Sequence, residues 1–144
     1  MSDLTLTPQD ILALQQMVYG EDTTDAEAQK MIVQSALNRL KSGRSKEFGA
    51  SIPEIAKKGY YAVSKRNIPY QQAVSQKFPD VASQAAWGRT KKLVESVLGD
   101  KDYGAGHQFY FTDKEIANLQ KSKGFDFSRV KAMGSSGKYK LFGY

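Results

Sequence analysis

Residues 12–40 read "LALQQMVYGEDTTDAEAQKMIVQSALNRL". A helical apolar pattern runs into Tyr19-Gly20-Glu21, breaks for a few acidic and hydroxyl residues, and restarts at once. Thr7-Pro8-Gln9-Asp10 starts the first helix, with an N-cap, a proline at the first helical position and an acid in the first turn. The apolar positions Ile11, Leu14 and Val18, with Leu12, Met17 and Tyr19 beside them, place that helix over about 8–19. Thr24-x-x-Glu27 reads as a capping box opening the second helix. Its stripe is Met31, Ile32, Ser35, Ala36 and Leu40, and Gly43 stops it. The glutamate left on the glycine between the two helices adds little to packing.

Outward from this pair, Ser51-Ile52-Pro53-Glu54 opens a short helix ending near Gly59, and Pro79-Asp80 opens a long one stopping at Gly99. Trp87 sits on the apolar side of the latter and reads as core. Strand signals come late. "HQFYF" (107–111) is aromatic, and "KYKLFGY" (138–144) alternates basic with apolar residues behind a Gly-Ser-Ser-Gly turn. Thr112-x-x-Glu115 caps a helix over about 113–121, and "GYYAVSK" (59–65) is a weaker extended candidate. The expectation is a mainly helical α+β domain with a small antiparallel sheet, one unit over residues 1–144.

Composition narrows the chemistry. The chain carries 21 basic and 15 acidic residues, net +6, which favours an anionic partner such as a nucleic acid, a membrane surface or a wall polymer. The run 121–131, "KSKGFDFSRVK", reads as a solvated basic face. The absence of cysteine excludes disulfides, zinc thiolates and thiol nucleophiles, and the single histidine, His107, cannot build a metal cluster. Gly104-Ala105-Gly106 lacks the lysine and the setting of a phosphate loop. No metal and no cofactor are expected. No apolar window is long enough to span a membrane, and "MSDLTLTPQD" has no signal-peptide pattern.

Carboxylate chemistry remains. A glutamate closing an apolar helix can sit partly desolvated at a cleft floor, which raises its pKa toward what a general acid needs near neutral pH. Glu21 is that residue, and neighbouring Asp22 raises it further if the two side chains approach.

"LALQQMVYGE", "ALNRLKSG", "GYYAV", "GAGHQFYF" and "GKYKLFGY" occur in this order over roughly residues 8–144, and together they resemble the SleB-like cell-wall hydrolases, a family of spore-cortex-lytic and phage-encoded proteins. The resemblance implies a lysozyme-like fold related to lytic transglycosylases and cleavage of peptidoglycan between N-acetylmuramic acid and N-acetylglucosamine. It places the essential carboxylate at Glu21, with Glu27 and Asn38 in supporting positions. Tyr60, Tyr61 and Ser64, with His107, Tyr110 and Tyr139, are the expected glycan contacts. Tyr61 stands where the family usually has serine or threonine, and the segment after Glu21 is about one residue short. Glu27 also reads as a capping residue, Asn38 as a hydrogen-bonding support for the Glu21 loop, and His107 equally as a sheet histidine.

A single clear acid suits the transglycosylase route. Direct hydrolysis needs a second carboxylate, about 5–5.5 Å away for retention or 6.5–9.5 Å for inversion; Asp22, Glu27, Asp113 and Asp126 are the candidates. The other classes are a basic nucleic-acid-binding protein and an inactive phage structural protein. The expected partner is the peptidoglycan glycan strand, met by a monomer with no membrane insertion and no nucleic acid. Its expected location is the host cytoplasm until release, by a holin for example, or the phage particle.

Overall fold

The computed structural model describes residues 4–144. Helix α1 (Pro8–Glu21) begins on a capping box, with Thr7 Oγ1 accepting from the Asp10 amide and the Asp10 carboxylate accepting from the Thr7 amide. Helix α2 (Ala26–Lys41) follows after a four-residue turn. Its N-cap is Asp25, whose carboxylate accepts from the Glu27 and Ala28 amides. That corrects the Thr24–Glu27 capping box. Asp22 Oδ1 already accepts from the Thr24 and Asp25 amides, so the turn leaves Asp25 at the cap and Glu27 exposed.

Every residue from 31 to 39 is buried, so α2 is the central helix, covered on all sides. It packs against α1, against α4 (Ile52–Gly59), against α6 (Val81–Asp100) and against the sheet. The main core joins Leu14, Met17 and Val18 of α1 to Met31, Ile32 and Leu37 of α2, and on to Val94 and Val97 of α6. A smaller cluster forms where the end of α1 meets α5 (Ile68–Ser75) and α6. There Trp87, 3% exposed, packs with Tyr19, Ala73, Ala86 and Phe78.

The short helix α3 (Ser45–Phe48), α5 and one strand were not signalled by periodicity. For α5 the cue was local, with Asn67 as N-cap and Pro69 in the first turn. Residues 60–67 form turns and bends instead of the extended segment expected at 59–65, because the loop must fold back over the end of α1.

Three antiparallel strands, β1 (Phe109–Thr112), β2 (Lys131–Ser136) and β3 (Tyr139–Gly143), lie in the order β1-β3-β2. Gly134, Ser135 and Ser136 belong to β2, and the hairpin turn is Gly137-Lys138, with Gly137 at φ +57°. Met133 is skipped in the pairing of β2 with β3, a bulge that bends the outer strand. Helix α7 (Asp113–Ser122) starts on the expected Thr112–Glu115 capping box. The segment 121–131 is not simply a solvated basic face, since Phe125 and Phe127 pack edge-on against Phe111, with centroids 5.1 and 5.7 Å away. Among the described residues no helix is long and apolar enough to cross a membrane.

Candidate functional site

Glu21 is the last residue of α1, and its half-buried side chain is set by what crowds the glycine before it. A Cβ on Gly20 would lie 2.8 Å from Tyr70 Cβ and 3.0 Å from Ala62 Cβ. The glycine therefore serves close approach of the 60–67 loop and α5. Asn67 clamps the junction, with Nδ2 donating to the Gly20 carbonyl at 3.0 Å and Oδ1 accepting from the Tyr70 amide at 2.8 Å. From the other side, Gln29 Nε2 donates to the Asp22 carbonyl at 2.7 Å and to Thr90 Oγ1 at 2.8 Å. The turn carrying Glu21 is thus tied to α2, α5 and α6.

Burial raises the Glu21 pKa above the ordinary glutamate value. The Ala62 backbone amide and the Arg39 guanidinium pull it down, and the negative charge of Glu115 pushes it up. Glu115, on α7, is the acid whose charge reaches Glu21; Asp22, the expected neighbour, instead accepts from two amides of the turn. Asp80, Asp102 and Asp126 are all held below the ordinary aspartate value, chiefly by hydrogen bonds.

Aromatic hydroxyls gather next to it. Tyr110, on β1, is pushed well above the ordinary tyrosine value by burial first, with Tyr60 and Glu21 adding to the effect. Tyr60 is 4% exposed, its hydroxyl 2.6 Å from Ser35 Oγ, and burial raises its pKa too. The Tyr60 and Tyr110 ring centres are 6.5 Å apart, and Tyr139 stands edge-on to Tyr110 at 5.4 Å. Tyr110 pairs with Leu141, and Thr112 with Tyr139, so Tyr110 and Tyr139 share one sheet face. Ser136 opposes Tyr139 across β2 and β3. From there a groove of about 340 Å³ runs past Ser135 and Ser136 to Glu27, Lys30 and Gln34 of α2.

The other expected contacts separate. Tyr61 is 98% exposed and, with Tyr60 and Ser64, lines a different groove of about 340 Å³ beside Lys57 and Lys58. His107 is fully buried, with Nε2 3.0 Å from the Met31 carbonyl and Nδ1 without a partner among the described residues, and burial lowers its pKa. That corrects its assignment as a glycan contact, because it has no surface to offer. Tyr60, closed off by Ser35, contributes a wall of the site rather than a free hydroxyl. Asn38 does not support the Glu21 loop; its Nδ2 donates to the Tyr103 and His107 carbonyls, both at 2.9 Å. Gln29 does that work instead.

Arg39, Ala62, Asn67 and Glu115 carried no site signal in the sequence, except that an arginine inside an otherwise apolar helical run needs partners. Among the described residues no group of three His, Cys, Asp or Glu side chains is placed to hold a metal ion. The arrangement can hold a carboxyl protonated to higher pH than usual and deliver its proton beside neutral tyrosines. No protein-family model, curated protein or solved structure matches this chain.

Proposed function

We propose that the protein cleaves peptidoglycan glycan strands between N-acetylmuramic acid and N-acetylglucosamine, by a lytic-transglycosylase route, on a lysozyme-like domain. The observation that carries this reading is Glu21, a carboxyl raised by burial at a helix end and faced by Tyr110, with Tyr139 behind it. Protonated Glu21 gives its proton to the glycosidic oxygen as that bond breaks. The 6-hydroxyl of the muramic acid then attacks the anomeric carbon, and Glu21 takes up the hydroxyl proton, so the acid ends as it began. No second carboxylate is needed. The groove between α2 and β2, polar at Glu27, Gln34, Ser135 and Ser136, suits a hydroxyl-rich strand, and Ser136 at its edge opposes Tyr139.

Direct hydrolysis, as in a muramidase, has one observation in its favour, the Glu115 charge acting on Glu21. Against it, one Glu115 oxygen accepts from the Thr112 amide at 2.9 Å in the capping box of α7, where it serves the helix. Mass spectrometry of digested peptidoglycan separates the two. Anhydro-muramyl ends are expected; reducing muramyl ends mean hydrolysis, and cut peptide stems or an unchanged wall overturn glycosidase activity.

A further inference from the structure

Among the described residues Arg39 forms no ion pair, and the acid that feels its charge is Glu21. Arg39 is 8% exposed, and its guanidinium carbon lies 5.1 Å from the Phe48 ring centre, 4.8 Å from Tyr60 and 5.2 Å from Phe109. Nε donates to the Gln108 carbonyl at 2.7 Å, and among the described residues neither Nη nitrogen has a hydrogen-bond acceptor. The acidic side chains in ion pairs are taken by others, Asp102 by Lys30 and Glu47 by Arg44 and Arg129. Such a desolvated cation normally has a carboxylate or a full set of acceptors. Among the described residues the two Nη nitrogens of Arg39 have no ion pair and no protein acceptor, and they open to the pocket instead of being sealed in the core.

That end borders a pocket of about 270 Å³ walled by the rings of Phe48, Phe109, Phe111 and Phe125. Gly59 also lines it, and a Cβ there would come within 2.0 Å of Arg39 Nη1, so bare backbone holds the guanidinium in place. At the exposed rim Lys58 adds a second positive charge. Glu47, also at the rim, is engaged by the Tyr144 hydroxyl and lies 3.7 Å from Arg44 and 3.9 Å from Arg129, which offset its charge. The pocket therefore combines a planar fork of donors without a protein acceptor, aromatic walls and a positive rim.

We propose that this pocket binds a carboxylate carried on a small apolar body. The guanidinium takes the carboxylate through its two free nitrogens, the geometry in which arginine exceeds lysine. The four rings take the body, and Lys58 attracts the charge. Phe109 and Phe111 alternate with Tyr110 along β1, so the pocket lies on the sheet face away from the Tyr110–Tyr139 pair. The proposal needs nothing from the wall-cleaving reading and stands or falls without it. Arg39 also acts on Glu21, so an occupant would weaken the pull that lowers the Glu21 pKa.

The test is NMR of the full chain titrated with sodium benzoate, and separately with benzamide and with acetate, at constant ionic strength. Benzoate is expected to shift the Arg39 Nε–H and the Phe111 and Phe125 ring signals, saturating with a Kd on the order of 1 mM. Benzamide, lacking the charge, and acetate, lacking the body, are each expected to bind at least fivefold more weakly. Arg39→Lys should weaken benzoate at least tenfold. Should that variant fail to fold, Phe125→Ala should weaken it at least threefold at the pocket's outer wall. Equal response to benzoate and benzamide, equal response to benzoate and acetate, non-saturating shifts, or an unmoved Arg39 signal would each overturn the proposal.

Discussion

At the scale of the residue, Glu21 is a carboxyl whose burial makes its charge costly and its proton persistent. Folding favours the protonated form. The stabilising effect is full below the ordinary value of 4.5 and is lost as pH rises through the higher folded value. At pH 7 the ionised group therefore opposes folding. Glu21→Gln keeps the shape and removes the charge, so its melting temperature should exceed that of the parent at pH 7, the gap closing below pH 4.5. The same variant cannot give up a proton, and wall lysis followed by turbidity should fall by at least about a hundredfold. More than about a tenth of parental activity in the variant would move the acid elsewhere. In the parent, activity should decline on the alkaline side as Glu21 ionises, at a pH above the ordinary glutamate range.

Among the elements, the end of α1 is held by neighbours that are distant in sequence. The 60–67 loop and α5 press on Gly20, and α2 and α6 reach the turn through Gln29 and Thr90. Gly20→Ala would put a methyl 2.8 Å from Tyr70 Cβ and 3.0 Å from Ala62 Cβ, neither of them at the end of a flexible chain. The loop and α5 must then move away from Glu21, carrying the Ala62 amide with them. With Glu21 as the acid proposed above, turnover should drop about tenfold or more, because small displacements at a reacting group cost heavily. Stability should fall by roughly 1–3 kcal/mol, read from the urea midpoint, as for an overpacked contact. Turnover equal to the parent's, with a stable fold, would detach the loop from the site.

For the whole molecule, the main core is built around α2, and the Trp87 cluster closes the far end, where α1, α5 and α6 meet. Trp87 gives up little surface, and its Nε1 donates to Gln76 Oε1 at 3.2 Å. Tyr19, two residues before Glu21, packs edge-on against it with centroids 5.6 Å apart. Trp87→Ala should destabilise the fold by roughly 3–5 kcal/mol in chemical denaturation. Since Tyr19 ties this cluster to the end of α1, the variant should also lose activity at temperatures where it is still mostly folded. A loss below about 1 kcal/mol would mean that the cluster can collapse around the gap.

The sequence by itself determined α1, α2, α4, α6 and α7, because caps, prolines and helical apolar spacing act over a few residues. It determined the aromatic strands for the same reason; the absence of cysteine and the single histidine left carboxylate chemistry, and the helix-end position and the family resemblance pointed within it to Glu21. It misplaced the cap at Thr24, because Asp22 takes the Thr24 and Asp25 amides and Asp25 those of Glu27 and Ala28, and only the folded turn shows which oxygen each amide meets. It left α5 and β2 unread, because one is short and the other, "KAMGSS", is a strand only through pairing with β3. Tertiary structure alone decided that His107 lies inside and Tyr61 outside, although both sit in aromatic stretches. It also decided that Gln29 rather than Asn38 supports the Glu21 turn, and that Glu115 rather than Asp22 acts on its charge. Burial, field and close approach depend on which distant segments meet, and that is settled by the packing of the whole chain around α2.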